Sequence, residues 1–230
     1  MDFKKKYWLI GMFILVVLVG AVVISKKTKP ASVEQGSSGV VSPDQTLPSA
    51  GSERLNGSKV KGPDGAPIII QEFSDFQCPS CKKAREPLEA LIKEFPNLIQ
   101  VQYFYFPLPM HRYAMDAAKF AECAGAQGKF WPMSDLLFNE QEVWANDPDA
   151  VALFVAYVNS LGLDRPNFQS CLNSAATMQA ISNDRERGQM MQISSTPTFF
   201  INGERVVGAK QLADTGAQIV QKKLESLVKR

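Results

Sequence analysis

The chain has 230 residues, of which 45% are hydrophobic and 21% are charged. This composition is that of a globular protein and excludes a wholly disordered one. The formal net charge of +2 is too small to indicate a nucleic-acid-binding protein, and four cysteines with one histidine leave few ligand sets for a zinc site.

The first feature along the chain is an uncharged apolar run at residues 7–25, with lysines on both sides. It is about as long as a helix that crosses a bilayer. A cleaved signal peptide is the alternative, but this run exceeds the usual apolar region of such peptides and no clear cleavage site follows. We therefore predict that residues 1–29 form a single-pass membrane anchor. Because three lysines precede the run and three follow it, charge does not set its orientation.

The next segment, residues 30–58, is rich in serine, glycine and proline. It has too little apolar surface to offset the entropy cost of ordering. We interpret it as a flexible linker, followed by one domain at residues 59–230.

The domain opens with a predicted strand at 67–73, a helix at 79–94 and a strand at 98–106. Helical patterns then recur at 112–126, 130–141, 148–161, 166–173 and 175–191. A hairpin pairs 198–201 with 205–207 across Asn202-Gly203, and a helix covers 210–228. This order predicts an α/β fold in which a helical insert, at about 111–191, separates a βαβ unit from a ββα unit.

Cys78-Pro79-Ser80-Cys81 lies between the first strand and the first helix. The N-terminus of a helix favours an anion, so the pKa of the Cys78 thiol should fall and make Cys78 the attacking thiol. Cys81, one turn along, faces inward and can close a disulfide with Cys78. Half of a zinc site is the alternative, but Cys123 and Cys171 are single cysteines and form no second CxxC.

The second motif is Ser195-Thr196-Pro197-Thr198-Phe199-Phe200. Pro197 is either a simple strand start or part of a cis-proline loop beside the CxxC. In the second case, the backbone of Thr196 could pair with a substrate chain as an added strand.

Three stretches of this chain carry a resemblance to a known family: GAPIIIQEFSDFQCPSCK, HRYAMDAAKFAECAGAQGKFW and STPTFFINGERVVGA. In order, they resemble the DsbA family of thioredoxin-fold proteins, and the match runs over about residues 60–228. The resemblance implies a thioredoxin fold with a helical insert and a cis bond at Thr196-Pro197. It also implies that the protein introduces disulfides into exported proteins, and we expect its substrates to be unfolded chains. We expect no cofactor and no metal. A DsbB- or VKOR-type membrane quinone reductase would reoxidise it.

One departure concerns the CxxC dipeptide. The best-known enterobacterial members have a histidine there, which stabilises the thiolate, whereas this chain has Pro79-Ser80. A strongly oxidising potential is therefore not implied. Members from Gram-positive bacteria are similar in lacking this histidine and in having a membrane anchor.

Glu72, six residues before Cys78, matches a family acidic residue that is buried near the inner cysteine and relays its proton. The alternative is a solvated glutamate on an edge strand, and Glu86 is a weaker candidate. His111 is interpreted as structural, and Phe76 as core or as surface around Cys78. For Cys123 and Cys171 we favour a structural disulfide over two buried free thiols, because exported proteins face oxidants.

Three functions fit these residues. The first is a disulfide oxidase that uses the Cys78–Cys81 pair, and the second is a reductase or isomerase with the same chemistry. The third is a tethered copper-binding module built on the cysteines and methionines. Because disulfides persist outside the cytosol, we expect the soluble domain on the extracytoplasmic side of the cell membrane.

Overall fold

The structure, a computed structural model, describes residues 59–229. The predicted anchor at 7–25 and the linker at 30–58 lie outside the described residues. Between residues 59 and 229, no helix has the length and apolar character needed to cross a membrane.

A five-stranded sheet forms the centre of the described part of the chain, in the order β1-β3-β2-β4-β5. Strand β2 is central because it pairs in parallel with β3 and antiparallel with β4. The strands are β1 (Val60–Lys61), β2 (Ile68–Ser74), β3 (Ile99–Tyr105), β4 (Thr198–Ile201) and β5 (Glu204–Val207).

Helices cover both faces of the sheet and form the insert. The insert lies between β3 and β4, as the sequence predicts, and the βαβ and ββα units flank it. The helices are α1 (Pro79–Glu94), α2 (Ala114–Gly125), α3 (Phe130–Asn139), α4 (Gln141–Trp144), α5 (Ala150–Ser160), α6 (Arg165–Leu172), α7 (Ala175–Met190) and α8 (Gly208–Val228).

The two faces of β2 enter different parts of the core, because successive side chains of a strand alternate sides. Ile68 and Ile70 pack with apolar residues of α1 and α8. Phe73 points the other way, where its ring stacks on Phe104 at 4.7 Å between centroids. Both faces are therefore closed to water, and the end of β2 carries its polar residues into the interior.

Two short elements were not predicted. Strand β1 has two residues and pairs antiparallel with β3, and α4 has four residues. The predicted helix at 130–141 ends at Asn139, and α4 follows. Elements this short have no periodicity to detect, so tertiary contacts decide whether they form.

Candidate active site

Cys78 lies at the N-cap of α1, directly after the loop that leaves β2. Its carbonyl accepts hydrogen bonds from the backbone N–H groups of Cys81 at 3.0 Å and Lys82 at 3.2 Å. Pro79 occupies the start of the helix, where its missing N–H costs nothing. The free N–H groups and the positive end of the helix dipole therefore face the Cys78 sulfur.

The Cys78 thiol is strongly acidic. A hydrogen bond from the side chain of Cys81 is the main cause that lowers its pKa to about 5. The Thr196 hydroxyl and the backbone N–H groups of Cys81 and Ser80 act in the same direction, while burial opposes them. Cys78 is therefore a thiolate at neutral pH, the form that attacks and leaves in disulfide exchange.

Cys81 has the opposite character. Its side chain is fully buried, and burial raises the pKa of its thiol well above the ordinary value, with a further contribution from the Cys78 sulfur. The backbone N–H of Asp75 donates to its Sγ at 3.5 Å. Both cysteines are free thiols in this structure. The pair thus has one reactive thiolate and one protonated partner behind it.

The loop before β4 lies against Cys78. The Thr196-Pro197 peptide bond is cis. When it is protonated, the Cys78 thiol donates to the Thr196 carbonyl at 3.4 Å. The Thr196 hydroxyl is buried and forms no hydrogen bond of ordinary geometry within the protein. The structure therefore brings the Cys78–Cys81 pair together with Thr196 and Pro197, although the two motifs are more than 110 residues apart in the sequence.

Asp75 organises the loop between β2 and α1. Its carboxylate accepts hydrogen bonds from the backbone N–H groups of Gln77 at 2.7 Å and Leu108 at 2.8 Å. His111 Nδ1 lies 2.7 Å from the same carboxylate. Burial raises the pKa of the Asp75 carboxyl, and these hydrogen bonds oppose the shift. Asp75 is a further residue of this site that no sequence motif indicates, and the contact of His111 with the active-site loop was not predicted.

The helical insert also holds this loop. The side-chain amide of Gln141, on α4, donates to the carbonyls of Phe76 at 2.7 Å and Cys78 at 3.0 Å. Gln77 donates to the carbonyl of Ala145 at 2.7 Å. Helix α4 therefore supports the CxxC loop through hydrogen bonds, although its four residues are too few to be predicted from the sequence.

Glu72 lies in β2, a central strand of the sheet, rather than in an edge strand. It is 1% exposed, and burial raises the pKa of its carboxyl while Arg85 opposes the shift. The alternative of a solvated glutamate is therefore wrong. Phe76 is also buried, with its ring stacked on Tyr103 at 5.2 Å, so it does not line the surface around Cys78. Glu86 lies on α1 and lines a groove with Lys83.

Cys123 and Cys171 form a disulfide that joins α2 to α6. Within residues 59–229, no group of three His, Cys, Asp or Glu side chains is arranged to hold a metal ion. The disulfide lies within the helical insert, so it is a cross-link between insert helices rather than part of the CxxC.

Comparison with known proteins places this arrangement in a family. The Thioredoxin family model matches residues 55–221. A curated relative, the Na(+)/H(+) antiporter NhaA 1 of Salinispora arenicola, is 35% identical over 164 residues, which are 70% of this chain and 24% of that protein. A second, NhaA of Herminiimonas arsenicoxydans, is 30% identical over 65% of this chain and 23% of its own length. The chain thus spans about a quarter of the curated relatives that it matches.

Solved structures share the fold. Wolbachia pipientis alpha-DsbA1 has a TM-score of 0.65 and 21% identity, covering 74% of this chain and 93% of that one. BdbD from Bacillus subtilis, in its oxidised form, has a TM-score of 0.63 and 22% identity, covering 74% of this chain and 94% of that one. Since more than half of the chain matches the family model, this protein belongs to the thioredoxin family, with the fold of the DsbA proteins.

Proposed function

We propose that this protein is a thiol–disulfide oxidoreductase that introduces disulfide bonds into exported proteins. The unequal character of the two cysteines supports this proposal most directly. The reduced pair is stabilised by the Cys78 thiolate, whose pKa is about 5, and a stable reduced form makes the oxidised form a better disulfide donor.

The reaction begins with an oxidised Cys78–Cys81 pair. A substrate thiolate attacks Cys78 Sγ, the Cys78–Cys81 bond breaks, and its electron pair leaves on Cys81, which takes up a proton. A second substrate thiolate then attacks the substrate sulfur of the mixed disulfide. Cys78 leaves as a stable thiolate, so the substrate has lost two electrons and the pair has gained them.

Two features of the site fit this reaction, one for binding an extended protein substrate and one for proton exchange. The backbone at Thr196 and Pro197 borders Cys78 and can pair with a substrate strand once the Cys78 thiol no longer occupies the Thr196 carbonyl. Glu72 is a buried carboxyl that can exchange a proton with Cys81. Substrate binding at Thr196 and proton exchange at Glu72 are both parts of this proposal.

We further propose the cellular setting. Residues 7–25 anchor the protein, the domain works outside the cytosol, and a DsbB- or VKOR-type membrane quinone reductase reoxidises the pair. Ion antiport is not proposed, because the shared segment is only 24% of the first curated relative. Protease treatment of intact spheroplasts tests this setting: an extracytoplasmic domain is digested, whereas a domain that is cut only after lysis contradicts it.

The reduction potential of the Cys78–Cys81 pair tests the direction of exchange. The purified full chain is equilibrated in glutathione buffers, and the thiols are trapped and counted, with a Cys78→Ser variant as the control. A potential of about −120 to −180 mV supports an oxidase. A value near about −270 mV contradicts it and indicates a reductase.

A further inference from the structure

Three buried polar atoms beside Cys81 have no hydrogen-bond partner in the protein: Glu72 Oε2, Ser74 Oγ and Tyr103 OH. Their residues are each at most 1% exposed. Buried polar groups in folded proteins are nearly always hydrogen-bonded, so three neighbouring exceptions require an explanation. One explanation for such exceptions is a catalytic or redox role for the groups concerned.

The sheet register brings the three groups to one place. Glu72 and Ser74 are two residues apart on β2, so their side chains lie on the same face. Tyr103 on β3 is directly opposite Glu72 in the parallel pairing. This is the face that carries Ile68 and Ile70, and α1 packs over it with Cys81 and Ala84 facing inward.

Ser74 is close to each of the other groups. Its hydroxyl lowers the pKa of Glu72, of Cys81 and of Tyr103, so it is near all three, yet none of them forms a hydrogen bond of ordinary geometry with it. A serine hydroxyl both donates and accepts, and its O–H rotates freely. It can therefore turn from one neighbour to the other.

Tyr103 has a different capacity. Burial, reinforced by Glu72, Cys81 and Asp75, raises the pKa of its hydroxyl well above the ordinary value. The hydroxyl therefore stays protonated throughout, and it serves as a hydrogen-bond donor to whichever neighbour carries the negative charge.

We propose that Ser74 is the relay that passes a proton between Cys81 and Glu72, and that Tyr103 is a positioning residue that holds the Glu72 carboxylate. This inference rests on the proposed function. When the Cys78–Cys81 bond breaks, the Ser74 O–H donates its proton to the Cys81 sulfur and accepts one from the Glu72 carboxylic acid. Reoxidation reverses both transfers, so the proton returns to Glu72 when Cys81 attacks again.

The relay explains how a fully buried thiol exchanges a proton without contact with bulk water. Other charged or titratable groups at this place are Arg85 and Glu89 of α1, which act on Glu72, and Asp75 of the loop. None of them has an uncommitted hydroxyl between the two acids. Ser74 is therefore the residue whose side chain both reaches Cys81 and changes partner.

The test is the rate at which Cys81 displaces glutathione from a mixed disulfide on Cys78, measured with the full chain by stopped flow. Ser74→Ala should slow this step about a hundredfold at neutral pH, the lower end of general acid–base effects. It should also shift the pH profile to higher pH and reduce the solvent deuterium isotope effect. Ser74→Thr, which retains the hydroxyl, should restore the rate.

Ser134→Ala is the matched control, because Ser134 is also a fully buried serine whose hydroxyl has no partner, but it lies in α3. Alkylation of Cys78 checks the fold of each variant and should be unchanged. If Ser74→Ala changes the alkylation of Cys78, the variant is distorted and Tyr103→Phe is used as the test instead. Tyr103→Phe should also shift the pH profile of glutathione displacement.

The outcomes separate the two proposals. A Ser74→Ala profile identical to that of Ser134→Ala overturns the relay but leaves the disulfide exchange intact. Where Ser74→Ala is distorted, a Tyr103→Phe variant with an unchanged pH profile overturns the relay in the same way. A wild-type protein that exchanges no disulfides at all overturns the proposed function itself.

Discussion

At the scale of single residues, two chemically identical thiols behave as opposite acids because their surroundings differ. Cys78 receives hydrogen bonds at a helix N-terminus, whereas Cys81 lies in the core. The same contrast recurs in the polar groups around them. The Asp75 carboxylate accepts hydrogen bonds from three donors, while Glu72 Oε2, Ser74 Oγ and Tyr103 OH have no partner in the protein.

The low pKa of Cys78 predicts how stability depends on pH. A cysteine with a depressed folded-state pKa stabilises the reduced fold above the unfolded pKa of about 8.5. This contribution is lost as the pH falls through about 5. The raised pKa of Cys81 has an opposite effect only above the unfolded value. We therefore expect the free energy of unfolding of the reduced form, relative to the oxidised form, to rise between about pH 5 and 8.5.

Urea denaturation of both redox forms at several pH values measures this difference. A reduced Cys78→Ser variant is the control and should show no rise over the same range. An equal slope in wild type and control would contradict the low pKa of Cys78.

The contact between His111 and Asp75 gives a second prediction at this scale. In His111→Ala, the buried Asp75 carboxylate keeps two backbone donors but loses the third. We expect the free energy of unfolding to fall by about 1.5–3 kcal/mol, the usual contribution of a hydrogen bond to a charged group. Lys210→Ala is the control, since its ion pair with Asp214 is 88% and 53% exposed and should change stability by less than about 1 kcal/mol. Equal effects of the two variants would show that His111 does not support the loop.

The motifs alone identify part of this site. The CxxC and the residues around Pro197 could be selected because each is a continuous stretch with a known chemistry. Ser74 and Tyr103 could not, because their proximity depends on the register between two strands. Asp75 follows a strand like many loop residues, and only its partners in the folded chain distinguish it.

At the scale of elements, the four-residue helix α4 holds the loop that carries Cys78 into α1. Its Gln141 side chain fixes two carbonyls of the loop before α1. We expect Gln141→Ala to lower the free energy of unfolding by about 1–3 kcal/mol, because the Phe76 carbonyl is left without this donor.

The matched control for this prediction is Gln179→Ala, whose amide bonds only to Asn183 on the surface. Chemical denaturation compares the two variants, and alkylation of Cys78 reports on the loop. A loss no greater than that of the control would mean that α4 does not support the CxxC.

The link between α2 and α6 gives another prediction for elements. Cys123 and Cys171 are 48 residues apart. Replacing both by alanine should reduce the free energy of unfolding by about 4 kcal/mol in the chain-entropy model. The Cys78–Cys81 potential should stay the same, because the disulfide cross-links insert helices only. A potential that moves with this replacement would show instead that the two cysteine pairs are coupled.

At the scale of the whole domain, a buried charge cluster connects the first described residue to the insert. Lys59 Nζ lies 2.5 Å from Asp184 of α7 and 4.0 Å from Glu122 of α2. It also lies 4.4 Å from the centre of the Tyr105 ring, whose hydroxyl donates to Glu122 at 2.9 Å. Burial raises the pKa of Asp184, and Lys59 opposes this shift.

Removal of the lysine alone should be costly. Lys59→Met leaves a buried Asp184 without its cation, and breaking such a pair costs about 3–5 kcal/mol. The double variant Lys59→Met with Asp184→Asn should recover much of this loss, because the unpaired charge is gone. Denaturation midpoints at neutral pH measure both, and a double variant as unstable as the single one would contradict a cost from unpaired charge.

The order of elements was predictable over the whole domain, since periodicity and turn residues indicate each long helix and strand. The contacts that close the domain were not. Nothing in the sequence distinguishes Lys59 from other lysines. It is buried because it precedes β1 and packs against Asp184 of α7 in the folded domain. The insert helices were recognisable individually, but no pattern in them showed that α4 would hold the CxxC loop.

The position of β4 has a consequence during synthesis. The Thr196 loop and β4 complete the environment of Cys78, yet they are made after all four cysteines. Until then Cys78 lacks the contribution of Thr196, so the pKa of its thiol is lowered less than in the complete domain. The full acidity of Cys78 therefore develops only after Cys123 and Cys171 have both been made.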